Sequence, residues 1–248
     1  VVERRSDIKI QRIRFEIAVP QYWLGLRPFY ATETRIAKGE LSKQKFLIAT
    51  ESDYVKDSTY EKVLEFVKNG GTVVVMKGSF KRNEYGDPRD ASELVKAEGG
   101  EAYGEYARIY PVGEGKAICI DKIEMQPDYV TDGSQSMGGA PNADQRRPVY
   151  YSVIDKIATD NNLYSEVRLV ATDEVKKDPN SLNGYDWRAA KLDDGAYSLM
   201  VMAGNPEAVK LETSRPIKRI VNMVTEKEVP EKDFKLEDGR NLFRIELK

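Results

Sequence analysis

The residues available for chemistry in this chain are carboxylates, lysines and tyrosines, because its 248 residues include no histidine and one cysteine, Cys119. Histidine is the commonest general base and a frequent zinc ligand, so a Ser-His-Asp triad, a Cys-His pair and a histidine-containing zinc site are all excluded. Cys119 lies in the apolar run 117–120, where burial makes a thiol unreactive. We therefore predict no catalytic residue, and the sequence favours a non-catalytic role.

Carboxylates at short spacing suggest a cation site or an acid-base pair. Glu51 and Asp53 lie two residues apart, after a predicted strand, but two ligands are too few for calcium, which takes about six to eight oxygens. Three further carboxylates, in a segment rich in Gly, Pro, Ser and Asn, lack the spacing of an EF-hand: Asp128, Asp132 and Asp144. We predict neither a metal ion nor a cofactor.

Charge and hydropathy restrict the partners. Lys and Arg number 39 and Asp and Glu number 41, for a net charge of -2, so nucleic acid and anionic membrane are not expected partners. The sequence has no apolar run of the roughly 18 residues that a membrane span needs. A start at Val1, without a signal-like segment, favours a processed or excised piece. Both a cytoplasmic and a secreted location are left open.

The first half of the chain alternates between strand-like and helix-like patterns. Residues 13–19 and 46–49 are apolar runs that predict strands, and residues 57–68 have apolar positions at i, i+3, i+4 and i+7 that predict a helix. Asn-Gly-Gly at 69–71 ends this helix, and the β-branched run 72–76 follows at once. We expect a doubly wound α/β domain.

The chain is predicted to change from α/β to all-β near residue 162. The first domain, residues 1–162, is completed by a short helix at 91–97, a hairpin around Gly113 to Gly115, a long loop at 125–148 and a helix at 149–160. Residues 163–248 then hold short strands at regular spacing, typical of a small β-sandwich. The predicted strands are 166–171, 187–191, 197–202, 208–213, 217–221 and 242–247.

Ligands of an open α/β sheet bind beyond the carboxyl ends of its strands, where this chain places aromatic and charged side chains. The candidate carbohydrate-binding residues at these ends are Tyr22, Trp23, Glu51, Tyr54, Arg82, Glu84 and Arg89. Aromatic faces suit sugar rings, and charged groups suit their hydroxyls. The alternative is that the aromatic rings are packing residues and that Arg89 and Asp90 tie down their loop.

The segment 45–76 resembles the amidotransferase-like domain that follows the TIM barrel in family 42 β-galactosidases and related glycoside hydrolases, where it is called the trimerisation domain. The matching features are an apolar strand followed closely by a tyrosine, a helix that ends in FVxxGGT, and an immediate apolar strand. Residues 84–90 resemble a loop of such proteins. The segments 199–202, 220–229 and 236–247 resemble their small C-terminal β domain.

The resemblance implies a flavodoxin-like or class I amidotransferase-like sheet, without the chemistry of the enzymes that have this fold. Class I amidotransferases place a nucleophilic cysteine on the tight turn after a strand, whereas the turn here is Lys77-Gly78-Ser79-Phe80 and no histidine exists. Glutamine hydrolysis by that route is excluded. The resemblance implies a non-catalytic accessory and oligomerisation region of a polysaccharide-processing glycoside hydrolase, with a TIM-barrel glycosidase domain or subunit, further copies of the chain and a polysaccharide as expected partners.

Two alternatives remain open at the level of sequence. The first is a carbohydrate-binding module that uses Tyr22, Trp23 and Trp187 as stacking platforms. The second is a stand-alone enzyme that uses an acid or base from the loop after the run 72–76, with Lys77, Glu84 and Tyr85 as candidates.

Overall fold

The computed structural model describes residues 17–50, 52–96, 98–120, 143–182 and 184–248, which form two compact units. The α/β unit spans Phe29–Pro127, and the β unit combines Val1–Pro28 with Asp128–Lys248. The contacts therefore group residues 17–28 and 143–162 with the C-terminal strands, unlike the predicted division at residue 162. As a division into domains, 1–162 and 163–248 stays a prediction.

The N-terminal segment corrects one predicted strand. Residues 17–23 form a helix, α1, and not the end of the strand expected at 13–19; positions 13–16 lie outside the described residues. Pro20 contributes to the difference, because a proline lacks the N–H that would continue a strand ladder. The side chain of Gln21 supports this helix, because its Nε2 donates a hydrogen bond to the carbonyl of Ile17 at 3.0 Å.

The α/β unit is built on one mixed five-stranded sheet. Its elements are α2 (Glu33–Ala37), a 3₁₀ helix (Glu40–Lys43), β1 (Phe46–Ile48), α3 (Asp57–Lys68), β2 (Thr72–Met76), β3 (Glu101–Tyr103), β4 (Ala107–Val112) and β5 (Gly115–Ile120). The strand order is β1-β2-β5-β4-β3, with β1, β2 and β5 parallel and β4 and β3 antiparallel at one edge. The α/β character is thus confirmed, whereas a doubly wound, amidotransferase-like arrangement stays a prediction.

Helix α3 covers one face of this sheet. Its buried positions, Tyr60, Val63 and Val67, follow the predicted spacing and pack in one core with Val73 and Val75 of β2. The predicted hairpin forms between β4 and β5, and its glycine-rich turn meets the end of α3. Gly115 is required there, because a Cβ at that position would lie 2.0 Å from the carbonyl oxygen of Val67. The predicted helix at 91–97 is a turn over its described residues.

The β unit contains all six predicted strands and the predicted helix, which includes residues 143–148 that were expected in the long loop. Its elements after α1 are α4 (Ala143–Asp160), β6 (Val167–Ala171), α5 (Asp173–Lys177), β7 (Asp186–Lys191), β8 (Tyr197–Ala203), β9 (Val209–Thr213), β10 (Ile217–Asn222), β11 (Lys227–Glu228) and β12 (Gly239–Leu247), with short 3₁₀ turns. One antiparallel sheet has the order β11-β10-β12-β8-β7, and β6 pairs with β9 in a second. That these two sheets form a sandwich stays a prediction.

Glu166 links the two sheets of the β unit. Its carboxylate accepts hydrogen bonds from the Tyr197 hydroxyl of β8, from Ser214 Oγ at 3.1 Å and from Arg215 Nε at 3.0 Å, the last two residues following β9. These donors, with Tyr197 as the largest contributor and Arg215 next, lower the pKa of Glu166 from 4.5 to about 2. Folding therefore favours the ionised form of Glu166, and the ionised carboxylate stabilises the folded chain.

We predict that the effect of Glu166→Gln on stability depends on pH in the acid range. Because the folded pKa lies below the unfolded pKa, the contribution of this carboxylate is fully present above about pH 4.5 and is lost as the pH falls through about 2. The difference in unfolding midpoint between wild type and Glu166→Gln should shrink over that range. Urea unfolding followed by tryptophan fluorescence measures it, since both tryptophans, Trp23 and Trp187, belong to the β unit.

The control for this prediction is Glu174→Gln on α5, an exposed carboxylate. Its difference from wild type measures the effect of losing an exposed carboxylate from the same unit and is subtracted from the Glu166→Gln difference at each pH. A Glu166→Gln difference that stays constant from pH 7 to pH 2 contradicts the prediction.

Candidate functional site

Two loops leave the carboxyl ends of β1 and β2 and run side by side. We call residues 49–56 and 77–90 the strand-end loops. Tyr54 and Arg82 form a parallel bridge between them, flanked by hydrogen bonds from the Val55 N–H to the Arg82 carbonyl at 3.1 Å and from the Arg82 N–H to the Asp53 carbonyl at 2.9 Å. The two loops are therefore held together by backbone pairing that extends the sheet.

The turn after β2 is strained but carries no nucleophile. Phe80 has a φ of 62°, which is unusual for a bulky residue, and its ring is buried against Tyr60 with centroids 5.5 Å apart. Ser79 is fully buried, and its hydroxyl accepts from the Met76 N–H at 3.0 Å and donates to the Ala49 carbonyl at 2.8 Å. The turn after β2 thus holds a buried aromatic ring beside a buried serine that ties β2 to the end of β1.

Arg89 is the main link inside the strand-end loops. Its side chain is 9 % exposed and donates to Asp57 Oδ1 through Nε at 2.9 Å and to the carbonyl of Val55 through Nη2 at 2.5 Å. Its guanidinium also lies 4.9 Å from the ring centroid of Tyr60. Arg89 therefore joins the second loop, the first loop and the start of α3. This role agrees with the alternative that Arg89 ties down its loop.

Two carboxylates from different elements cap the start of α3. Glu84 Oε2 accepts from the backbone N–H of Asp57 at 3.3 Å, and Glu33 Oε1 accepts from the N–H of Lys56 at 2.9 Å. Negative charge at this end of a helix is favourable because the exposed N–H groups and the helix dipole are positive there. Glu84 is thus positioned as a helix cap.

Two tyrosines of the strand-end loops are exposed among mostly charged side chains. Tyr54 is 65 % exposed and Tyr85 is 83 % exposed, whereas the neighbouring Arg82 donates to the Gly86 carbonyl at 2.8 Å. Asn83 organises the turn between them, because its Oδ1 accepts from the N–H groups of Tyr85 and Asp87. The loops therefore present two tyrosines to solvent on a hydrogen-bonded frame.

The structure separates the predicted site residues into two groups. Tyr54, Arg82, Glu84 and Arg89 lie in the strand-end loops, and Glu51 lies outside the described residues. Tyr22 and Trp23 belong to the β unit, in α1.

Trp23 and Trp187 are buried packing residues in the β unit. Trp23 is 3 % exposed and Trp187 is 2 % exposed, and Trp187 Nε1 donates to the Trp23 carbonyl at 2.8 Å. Gly25 allows this contact, since a Cβ there would lie 2.4 Å from the Trp187 ring. The rings predicted as stacking platforms are therefore covered, and Tyr22 is partly covered by Arg27, which lies 5.9 Å from its ring centroid.

Several partners that position the site could not be predicted from the sequence. Asp57, the first residue of α3, is the carboxylate that pairs with Arg89, thirty-two residues later in the chain. The role of Asn83 has a recognisable signal, because it opens the turn sequence Asn-Glu-Tyr-Gly-Asp-Pro at 83–88. No sequence signal indicates the buried hydrogen bond from the Ser79 hydroxyl to the Ala49 carbonyl, since its two partners are thirty residues apart in the chain.

The described ranges contain neither a cluster of metal ligands nor a helix that could span a membrane. No group of three or more His, Cys, Asp or Glu side chains there is arranged to hold a metal ion. None of the helices in the same ranges is both long and apolar enough to cross a membrane.

Comparison with known proteins gives a match in structure only. No family model and no curated protein matches the sequence. The chain is similar to an apo exo-carrageenase of GH42 from Bacteroides ovatus, with 17 % identity and a TM-score of 0.55 over 96 % of this chain and 26 % of that one. It has the fold of part of a GH42 enzyme.

Two β-galactosidases give similar matches. A catalytic mutant of a GH42 β-galactosidase from G. stearothermophilus matches with 12 % identity and a TM-score of 0.62, over 95 % of this chain and 36 % of that one. The β-galactosidase from Bacillus circulans sp. alkalophilus matches with 14 % identity and a TM-score of 0.59, over 96 % and 37 %. The chain therefore spans about a quarter to a little over a third of the solved proteins it matches.

We predict that Arg89→Ala destabilises the α/β unit much more than Asp57→Asn does. The first substitution leaves buried carbonyl groups without their donor and should cost about 2 to 3 kcal/mol, whereas the carboxylate of Asp57 is 63 % exposed and its pairing should be worth less than about 1 kcal/mol. Hydrogen exchange of the amides in β2 and β5 of the whole chain measures the opening free energy.

Arg89→Lys is the informative control. It keeps the positive charge but cannot reproduce the forked donor geometry, so most of the loss should remain. Equal losses in Arg89→Ala and Asp57→Asn contradict the assignment of Arg89 as the link between the loops.

Proposed function

We propose that this chain is a non-catalytic accessory and oligomerisation region of a glycoside hydrolase of the GH42 β-galactosidase type. The observation that carries the proposal is the coverage of the structural matches. They align 93–96 % of this chain with only 26–37 % of each GH42 enzyme. A region that corresponds to a minor part of an enzyme is expected to support the part that performs the chemistry.

The chemistry of the strand-end loops is consistent with this role. A retaining glycosidase uses two carboxyl groups about 5 to 5.5 Å apart, one of them as a general acid. The carboxylate proposed for a stand-alone enzyme, Glu84, accepts a backbone hydrogen bond at the start of α3. The histidine-free sequence and the buried Phe80 at the turn after β2 also disfavour nucleophilic catalysis.

The proposal includes partners. The resemblance to GH42 enzymes predicts a TIM-barrel glycosidase domain or subunit that carries the catalytic carboxylates, and it predicts assembly into a homo-oligomer. A polysaccharide containing galactose is the expected substrate of the assembly.

We predict that the purified chain alone does not hydrolyse p-nitrophenyl β-D-galactopyranoside, whereas the whole protein encoded by its gene does. Release of nitrophenol is the measurement, and light scattering after size exclusion gives the mass of the whole protein, expected to be that of an oligomer.

Each result bears on one part of the proposal. Hydrolysis by the chain alone that is lost in Glu84→Gln would establish a stand-alone enzyme instead. A whole protein that leaves the galactoside intact contradicts the link to β-galactosidase, and a monomeric whole protein contradicts the role in assembly.

A second candidate function is carbohydrate binding at the strand-end loops. The observation that favours it is the exposure of Tyr54 and Tyr85, 65 % and 83 %, on a frame held by Arg82 and Asn83. Exposed aromatic rings stack on the apolar faces of sugars. In this candidate function, these two tyrosines form the binding surface, and the buried Trp23 and Trp187 do not take part.

We predict that the double variant Tyr54→Ala, Tyr85→Ala weakens the retardation of the chain in a galactan-containing gel about tenfold, because two ring contacts are removed. The matched control is Tyr54→Phe, Tyr85→Phe, which keeps both rings and should be retarded like wild type. Wild-type protein that migrates equally with and without galactan contradicts this candidate and leaves the accessory role untouched.

A further inference from the structure

The five-stranded sheet of the β unit has apolar side chains on the face opposite to its core. Along β8, Leu199 and Val201 are fully buried, whereas Met200 is 54 % exposed and Met202 is 42 % exposed. Successive residues of a strand point to opposite faces of a sheet, so the two methionines share the outer face. An antiparallel sheet that meets water on one face is expected to carry polar side chains there. The two methionines depart from that pattern.

The strand register extends this apolar surface across the sheet. Met200 lies opposite Leu242 of β12, and the N–H of Met223, directly after β10, donates to the Leu242 carbonyl at 2.8 Å. Residues that lie opposite each other in an antiparallel pair project from the same face. Met200, Leu242 and Met223 therefore form one row across the outer face, which we call the methionine row. Met202 lies beside it on β8, and Val221 lies beside it on β10.

The two ends of the methionine row carry opposite charges. At the β7 edge of the sheet, the exposed Arg188 lies opposite Met200. At the β11 edge, the pairing of β10 with β11 leads into a turn in which the exposed Glu226 comes opposite Met223. Neither charged side chain forms an ion pair with another described residue. The row thus runs from a free guanidinium, through three apolar side chains, to a free carboxylate.

The composition of this face suits contact with another protein. Methionine and arginine are enriched at protein interfaces, and the unbranched methionine side chain adapts to an opposing surface. A polyanion would need a set of unpaired cations, but two further arginines of this face are already paired. Arg219 lies 3.0 Å from a carboxylate oxygen of Glu228, and Arg244 lies 2.5 Å from one of Asp194. The apolar row is therefore the main attractive feature of the face.

The order of side chains in the methionine row is complementary to a second copy of the same row. A two-fold axis parallel to the strands, between two facing sheets, reverses the order of the strands in the second copy. Arg188 of one copy then faces Glu226 of the other. Met200 faces Met223 in the same way, and Leu242 faces its own equivalent. A two-fold axis perpendicular to the strands would instead bring the two Arg188 side chains together, which like-charge repulsion disfavours.

We propose that the outer face of this sheet is a self-association surface, on which two copies of the chain pack sheet against sheet around the methionine row. The inference deepens the oligomerisation part of the proposed function, because it names the surface and its occupant, and it rests on that role in the whole protein. The arrangement of the two copies rests on the β unit alone.

The size of the face sets the strength expected of this contact. Five strands about 4.8 Å apart and about six residues long cover roughly 20 Å by 20 Å, or about 400 Å² for each copy before the relief of the side chains is counted. A standard protein interface buries about 800 Å² for each partner. We therefore expect a weak dimer whose population depends on concentration.

The first test is sedimentation velocity of the chain over a range of concentrations. Wild type should change from monomer to dimer as the concentration rises. The double variant Met200→Gln, Met223→Gln should raise the dimer dissociation constant at least about tenfold, because four apolar contacts in each dimer become polar. Both positions are exposed in the single chain, so circular dichroism and the unfolding midpoint should stay close to wild type.

Charge reversal tests the two-fold geometry. Arg188→Glu and Glu226→Arg should each weaken the dimer about fivefold, because each places like charges opposite one another. The chain with both substitutions restores opposite charges and should recover most of the wild-type dissociation constant. The matched control is Lys210→Glu on β9, an exposed charge reversal in the other sheet, which should leave the dissociation constant unchanged.

Four results overturn the inference. A chain that stays monomeric at every concentration lacks a self-association surface, and a dimer that survives the methionine substitutions uses a different one. Equal weakening by Lys210→Glu shows a general effect of charge. Single reversals that weaken the dimer but do not rescue each other exclude the two-fold arrangement. None of these results decides whether the whole protein is an oligomeric glycosidase, since its mass and its galactosidase activity are measured separately.

Discussion

Burial of β2 on both faces is the constraint on which the α/β unit depends. Val73, Val74 and Val75 are each at most 1 % exposed, so this strand must occupy an interior position in the sheet, between β1 and β5. Its carboxyl end is therefore held against the end of β1, and the strand-end loops are forced to run together. Ser79 and Arg89 satisfy the backbone groups that this arrangement buries.

The strand-end loops contain a left-handed residue that serves packing. This residue is Phe80, whose ring lies in the core beside Tyr60. Strain at such a position is often associated with function. Here it accompanies the burial of an aromatic ring, and the nearby carboxylate of Glu84 supports the start of α3. In the same loops, the rings of Tyr54 and Tyr85 are exposed.

The β unit is organised around paired charges. Glu166 connects β8 with the residues after β9, and Arg168 pairs with Glu212 across β6 and β9. Because these pairs are partly exposed, each contributes little to stability by itself. Their structural effect is to tie β6 to β9 and to connect this pair with β8.

Local sequence patterns were enough to predict the elements with strong periodicity: helix α3, the apolar strand β2, the hairpin of β4 and β5, and the strands of the β unit. The absence of histidine was enough to exclude histidine chemistry. The apolar pattern before Pro20 instead predicted a strand where residues 17–23 form a helix. Three features are evident from the folded chain alone: the burial of Trp23 beside Trp187, the pairing of Arg89 with Asp57, and the cleft where residues 158–168 meet residues 212–214. Periodicity reports which side of an element is apolar, whereas burial, ion pairing and cavities depend on contacts between segments far apart in the chain, so no local pattern contains them.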